Sequence, residues 1–238
     1  MRTFIGTSGW NHDHWKERFY PLGCPKARWL DYYMNIFSTV EVNATFYRQL
    51  NTGTFEKWRM KSPENFVFAL KANRYITHIM KLKSVGDPLK TFIASASILG
   101  SKLGPLLFQL PPSLVFDENT LESFLSMLPA GYRYTLEARH KSWISAEALA
   151  ALGRHNVAWC IADTAGRFPY LEAVTADFVY IRLHGSKKLY ASDYTQSELV
   201  GWAEKIRSWG IDAYIYFDND FMGYAPANAA RLREILVQ

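Results

Sequence analysis

Short runs rich in Val, Ile, Leu, Phe and Tyr recur along the chain, separated by longer stretches in which apolar residues return at helical spacing. The runs read TFIGT (3–7), TVEVN (39–43), FVFALK (66–71), PLLFQL (105–110), YTLEAR (134–139), VAWCIAD (157–163), FVYIRLHG (178–185) and AYIYFDND (213–220). Between and after them the spacing predicts helices over Lys26–Phe37, Thr52–Lys61, Pro88–Ser101, Glu118–Leu128, Ser145–His155, a weakly patterned one near Gly166–Ala173, Gln196–Trp209 and Ala225–Val237. Thr195 followed three residues later by Glu198 is the pattern of a capping box, and Gly210 and Gly153 are expected helix stops. Pro63, Pro105 and Pro129 fall in connections or near strand starts, where a missing backbone donor is tolerated.

Eight strand-then-helix units without a Gly-rich phosphate fingerprint predict an α/β fold of the TIM type. Eight parallel strands would close into a (β/α)8 barrel, rather than an open doubly wound sheet. No repeat, low-complexity tract or long linker interrupts the pattern, so residues 1–238 are expected to form one domain.

That frame says which polar residues can meet. Side chains two apart near a strand's C-terminal end share a face, and in this barrel class that end carries the active site. Glu41 and Asn43 are so paired on the second strand, Glu137 and Arg139 on the fifth, Arg182 and His184 on the seventh, and Asp218 and Asp220 on the eighth. Lys71, Gln109 and Asp163 end the third, fourth and sixth strands. Charges converging on one mouth are costly to desolvate unless they pair with one another or meet a ligand. A self-neutralising network of Glu41, Glu137, Asp163 and Asp218 with Lys71, Arg139 and Arg182 is the structural alternative to a ligand site.

Composition narrows the chemistry only slightly. A net charge of +5 favours anionic partners, but the basic residues are spread along the chain, so nucleic acid is permitted without being indicated. The two cysteines, Cys24 and Cys160, form no metal-binding or disulfide pattern, and no apolar stretch is long enough to span a membrane. A reducing, cytoplasmic setting is expected. By parity Cys160 is placed opposite Asp163, against a helix, and Ser8 is read as a strand-end hydrogen-bonding residue rather than a nucleophile.

Several reactions fit this constellation. Lys71, Arg139 and Arg182, with the loop over residues 185–188, could hold a phosphate or other anion. Glu41 and Glu137 could do acid–base work on a sugar, with Trp10, Trp15 or Trp143 as stacking platforms. A divalent metal is the cofactor to consider, on the carboxylates with His184, yet His184 is the lone strand-ending histidine and no metal motif accompanies it. The HDH segment, His12 to His14, would bring two histidines to one face of an extended loop; a solvated loop is the plainer reading.

Taken together, GTSGW (6–10), VEVNATFY (40–47), FALKANRYITH (68–78), FQLPP (108–112), LEARHKSW (136–143), YIRLHG (180–185) and YFDND (216–220) resemble the YecE-like family, domain of unknown function 72, over nearly the whole chain. The resemblance implies a TIM-type barrel and little about reaction. At the level of fold alone it also suggests distant kinship with metal-dependent barrels such as endonuclease IV, but the strand-end histidines that such a metal site needs are absent here. His12 stands where the family pattern carries an aromatic, and Asp218 where Asn is common.

The expected protein is therefore an enzyme acting on an anionic substrate at the C-terminal mouth, with hydrolase or isomerase chemistry favoured. Its expected acid–base groups are Glu41, Glu137, Asp163, His184 and Asp218. Substrate contacts are expected from Trp10, Asn43, Lys71, His78, Gln109, Arg139, Trp143, Arg182 and Asn219, with Thr77 beside His78. The alternatives are a nucleic-acid-binding module without turnover and a metal-dependent phosphoesterase.

Overall fold

In a computed structural model, which describes residues 1–237, all eight runs form strands. They are β1 (Thr3–Thr7), β2 (Thr39–Val42), β3 (Val67–Lys71), β4 (Leu103–Gln109), β5 (Tyr134–Glu137), β6 (Val157–Asp163), β7 (Phe178–Leu183) and β8 (Asp212–Phe217). Every laddered pair is parallel, in the order β1-β8-β7-β6-β5-β4-β3-β2, which is the TIM-type α/β barrel. Pro105 lies within β4, where the β3–β4 register slips one residue between Phe68 and Leu70, a bulge that accommodates its missing N–H.

The remaining seam, between β1 and β2, is closed by other means. At its upper end Ser8 bridges to Glu41, and the Gly9 amide donates to the Glu41 carbonyl at 2.8 Å. Lower down the buried Tyr33 hydroxyl stands in for a ladder bond, accepting from the Thr7 amide at 2.9 Å and donating to the Thr39 carbonyl at 3.0 Å. Gly6 makes this approach possible, since a Cβ there would sit 2.2 Å from the Thr39 oxygen.

The helices are α1 (Trp29–Ile36), α2 (Ala44–Tyr47), α3 (Thr52–Lys61), α4 (Gly86–Ala96), α5 (Glu118–Ser126), α6 (Ala146–Arg154), α7 (Gln196–Trp209) and α8 (Tyr224–Val237). The capping box at Thr195 is formed, and Gly210 ends α7 in the left-handed conformation. Three expectations change. The helix near Gly166–Ala173 does not form: Pro169 interrupts it, and the Thr164 hydroxyl captures the Phe168 amide at 3.0 Å. Short α2 takes the chain just past β2, a turn that the periodicity did not show. Gly153 stays inside α6, and the positive-φ residue that follows the helix is Asn156.

Two apolar cores result. The larger lies between strands and helices, while a smaller one, including Ala69, Leu107, Ala158, Cys160, Phe178, Tyr180, Tyr214 and Tyr216, fills the cylinder below its mouth. None of the described helices is long and apolar enough to cross a membrane.

Candidate functional site

Above that inner core the inward-facing positions become charged, and they meet at Arg182. Its guanidinium is fully buried and spends its donors on protein groups. Nε donates to both Glu41 oxygens at 2.9 and 3.2 Å, and Nη1 to Glu137 at 2.7 Å; Nη2 donates to Glu41 at 2.8 Å, Asp218 at 3.0 Å and the Ser8 hydroxyl at 3.2 Å. Glu41 also accepts from the Tyr180 hydroxyl at 2.7 Å and from Ser8. Glu137 accepts from Gln109 at 2.9 Å and from Arg139 Nε at 2.8 Å. Burial pushes the Glu137 carboxyl up, but Arg182 and Arg139 outweigh it and hold the group well below the usual carboxylate range. Arg182, Glu41 and Glu137 thus form a satisfied floor rather than free reagents.

His184 is tied into the same floor. Its Nε2 lies 3.1 Å from Arg182 Nη1, which can only donate, and its Nδ1 lies 2.9 Å from Asp218 Oδ2. The imidazole is wholly buried, so it orients Asp218, the member of the pair that reaches the cavity. Burial pushes Asp218 up, yet His184 and Arg182 bring it down to about 2.

Lys71 differs from these. Its side chain is buried, and its ammonium lies 4.2 Å from the centre of the Phe46 ring with no salt-bridge or hydrogen-bond partner among the described residues. Desolvation, reinforced by Arg182, lowers it to about 8 against the partial support of Glu137 and Glu41. His78 stands edge-on to the Phe46 ring, 5.0 Å between ring centres; desolvation and the Lys71 charge lower it to about 4, so it is neutral near physiological pH.

Over this floor opens a cavity of about 980 Å³. Its wall includes Trp10, Asn43, Lys71, His78, Gln109, Arg139, Arg182 and Asp218 from the expected set. The rim adds Phe46, Tyr47, Arg48, Trp58, Arg74 and Tyr190, which strand-end reasoning missed because no strand carries them, together with Asp220, expected at the end of the eighth strand. Five guanidinium or ammonium groups face two carboxylates here, and of the five Arg182 and Arg139 are already paired with the buried glutamates. The wall therefore keeps its unpaired cations on Lys71, Arg48 and Arg74.

Several expected groups lie elsewhere. Asp163 points out of the cylinder into a separate hollow, where the Tyr194 hydroxyl donates to it at 2.8 Å; Cys160, expected against a helix, faces the barrel interior instead. Trp143 is buried, donating its indole N–H to the Leu114 carbonyl, and Trp15 is buried with its own N–H on the Asp220 carbonyl, so neither is a stacking platform. Asn219 is buried and donates to the Ser192 carbonyl and Asn228. Thr77 is buried beside His78. The amides of Gly185, Lys187 and Lys188 serve the Tyr194 and Ser192 hydroxyls rather than facing the cavity as an anion loop.

Comparisons with other proteins agree with this barrel. Residues 4–238 match the family described as "Protein of unknown function DUF72", and the chain belongs to that family. Among its relatives, the UPF0759 protein YecE of Escherichia coli K12 is 29% identical over 143 residues, 60% of this chain and 50% of that protein; the chain thus spans about half the length of that curated relative. The UPF0759 protein YunF of Bacillus subtilis is 25% identical across 98% of this chain and 94% of its own. A crystal structure of a DUF72 family protein from Thermotoga maritima superposes with a TM-score of 0.91 at 27% identity, covering 100% of both chains. One from Enterococcus faecalis gives 0.84 at 18% identity, covering 99% of this chain and 96% of that one, and is similar in fold.

Proposed function

We propose that this protein is an enzyme acting on a small anionic substrate, best a phosphorylated one, bound in the cavity over the Arg182 floor. The observation that supports this most directly is the Lys71 ammonium, desolvated, without an anionic partner and aimed into a cavity whose rim is also cationic. A buried charge without a counter-ion is costly, and a bound anion would supply one. Arg139, with its Nε on Glu137 and its guanidinium over Phe168 at 4.4 Å, would present its outer face to the same anion.

In this reading Lys71 does two jobs. Its proton affinity is near that needed to exchange a proton around neutral pH, whereas Asp218 stays ionised and would orient a substrate hydroxyl. Glu41, Glu137 and His184 act through Arg182 and Asp218 as positioning residues. Paired-carboxylate sugar chemistry loses support, because both glutamates are clamped beneath the guanidinium.

A second reading, nucleic-acid binding without turnover, is favoured by the exposed Tyr47 and Tyr75, the sequence neighbours of Arg48 and Arg74 at the rim. Calorimetric titration with inorganic phosphate and with short single-stranded DNA, followed by a phosphoester activity panel, separates the two. The enzyme reading expects phosphate binding that Lys71→Met abolishes, together with turnover of at least one phosphoester. Binding of DNA alone, with a steep salt dependence and no turnover, would favour the second. Phosphate binding unaffected by Lys71→Met would overturn the proposed role of Lys71.

A further inference from the structure

Beside the cavity, the loop after β1 and the loop after β8 meet at Asp220. The Trp15 indole, fully buried, donates to the Asp220 carbonyl at 3.1 Å and so pins the two loops together. His12 and His14 precede Trp15 in sequence and both rings lie against its indole, and both turn toward the Asp220 carboxylate. His12 Nδ1 lies 3.1 Å and His14 Nε2 3.4 Å from Asp220 Oδ2, and one donor atom from each of the three residues lies within 4.8 Å of the other two.

The two histidine–carboxylate separations fall in the range that a single shared metal ion imposes. With bonds of about 2.0–2.1 Å and angles between right and tetrahedral, two donors on one ion sit roughly 3.0–3.4 Å apart. The orientation of His12 adds an independent argument. Its Nε2 is 3.2 Å from the Ser8 carbonyl, an acceptor only, so the ring proton belongs on Nε2. Nδ1 then faces the Asp220 carboxylate oxygen at 3.1 Å, the direction from which it would share an ion with that oxygen. A ring N–H donated to a backbone carbonyl is also the usual way a metal-bound histidine is held.

We infer that His12, His14 and Asp220 form a binding site for a divalent first-row transition metal, Zn²⁺ by the two-imidazole, one-carboxylate donor set. The three ligands leave coordination positions free, and since His12 and Asp220 also line the large cavity, these positions open toward it. The site is distinct from the Arg182 floor. His14 exchanges its 2.7 Å bond to the Asp220 carbonyl for the ion.

The test uses the full chain, stripped with a chelator that is then dialysed away. Zn²⁺ is titrated in competition with a chromophoric chelator, and Co²⁺ is added separately to read visible ligand-field bands. One equivalent is expected, with affinity lowered at least about tenfold in His12→Phe and in His14→Gln. Co²⁺ bands should appear in the wild type and fade in both variants. Half of the His14 side chain is exposed, so His14→Gln tests the site without threatening the fold, and matching circular dichroism and unfolding curves establish that. Absence of saturable Zn²⁺ binding, or one-to-one binding that both substitutions leave unchanged, would overturn the assignment.

Discussion

Replacing Lys71 with methionine should make the protein more stable while removing its capacity to hold an anion. The ammonium titrates near 8 in the folded chain instead of the ordinary 10.5, which corresponds to about 3 kcal/mol of folding free energy lost to its burial. Methionine has nearly the same reach and no charge, but it forgoes the contact with the Phe46 ring, worth about 1 kcal/mol. A net gain of about 2 kcal/mol remains, or about 4–8 °C in Tm for a chain of this size.

The pH dependence distinguishes this origin from better packing. Below about pH 8 the amine is charged in both states and the full penalty applies. Between about 8 and 10.5 the native state sheds its proton while the unfolded chain keeps it, so wild-type stability climbs with pH. Above that range both are neutral and the penalty is gone. Urea unfolding of both proteins near pH 7 and near pH 10 should therefore show the methionine advantage shrinking toward zero. A variant no more stable near neutrality, or one whose gain is the same at both pH values, would refute the desolvation argument and with it the case for Lys71 as a waiting cation.

Three further outcomes follow from the geometry. Arg182→Met should cost about 3–5 kcal/mol in urea unfolding, since it strands Glu41, Glu137 and Asp218 around a vacated charge. Asp218→Asn should cost about 2 kcal/mol near neutral pH, because the carboxyl titrates at about 2 rather than 3.8. The contribution of Asp218 is complete above its ordinary value and lost as pH falls through the lower one, so wild type and variant should converge in acid unfolding below about pH 2. Tyr33→Phe should cost about 1–3 kcal/mol and speed amide exchange at Thr7, whose N–H would lose its buried acceptor.

The strands were legible because short β-branched and aromatic runs with intervening helical spacing have few other solutions, and Glu41, Lys71, Gln109, Glu137, Arg182 and Asp218 announced the mouth by being polar at the ends of apolar strands. β6 shows where that signal stops. Its residues are apolar on both faces, as parallel strands covered on both sides usually are, so polarity cannot tell inside from outside. Register decides instead: Cys160 pairs with Tyr180 and Ala162 with Arg182, which sends the even-numbered side chains inward and Asp163 outward. The position that would have completed the ring of polar groups holds Ala162. Arg48, Arg74 and Tyr190 were invisible for another reason, since loops bring them to the rim and only tertiary structure sets their direction.

The seam between β1 and β2 gives the Arg182 cluster a mechanical meaning. Where the other neighbouring strands are joined by ladders of paired residues, this pair relies on one tyrosine hydroxyl below and a bridge above, and the upper bridge falls on Glu41 itself. Arg182 reaches from β7 across the lumen and grips both that glutamate and Ser8 on the opposite lip. The guanidinium is thus a strut that keeps the cylinder shut. Anything that drew Arg182 away from Glu41 would therefore loosen the wall at its weakest joint.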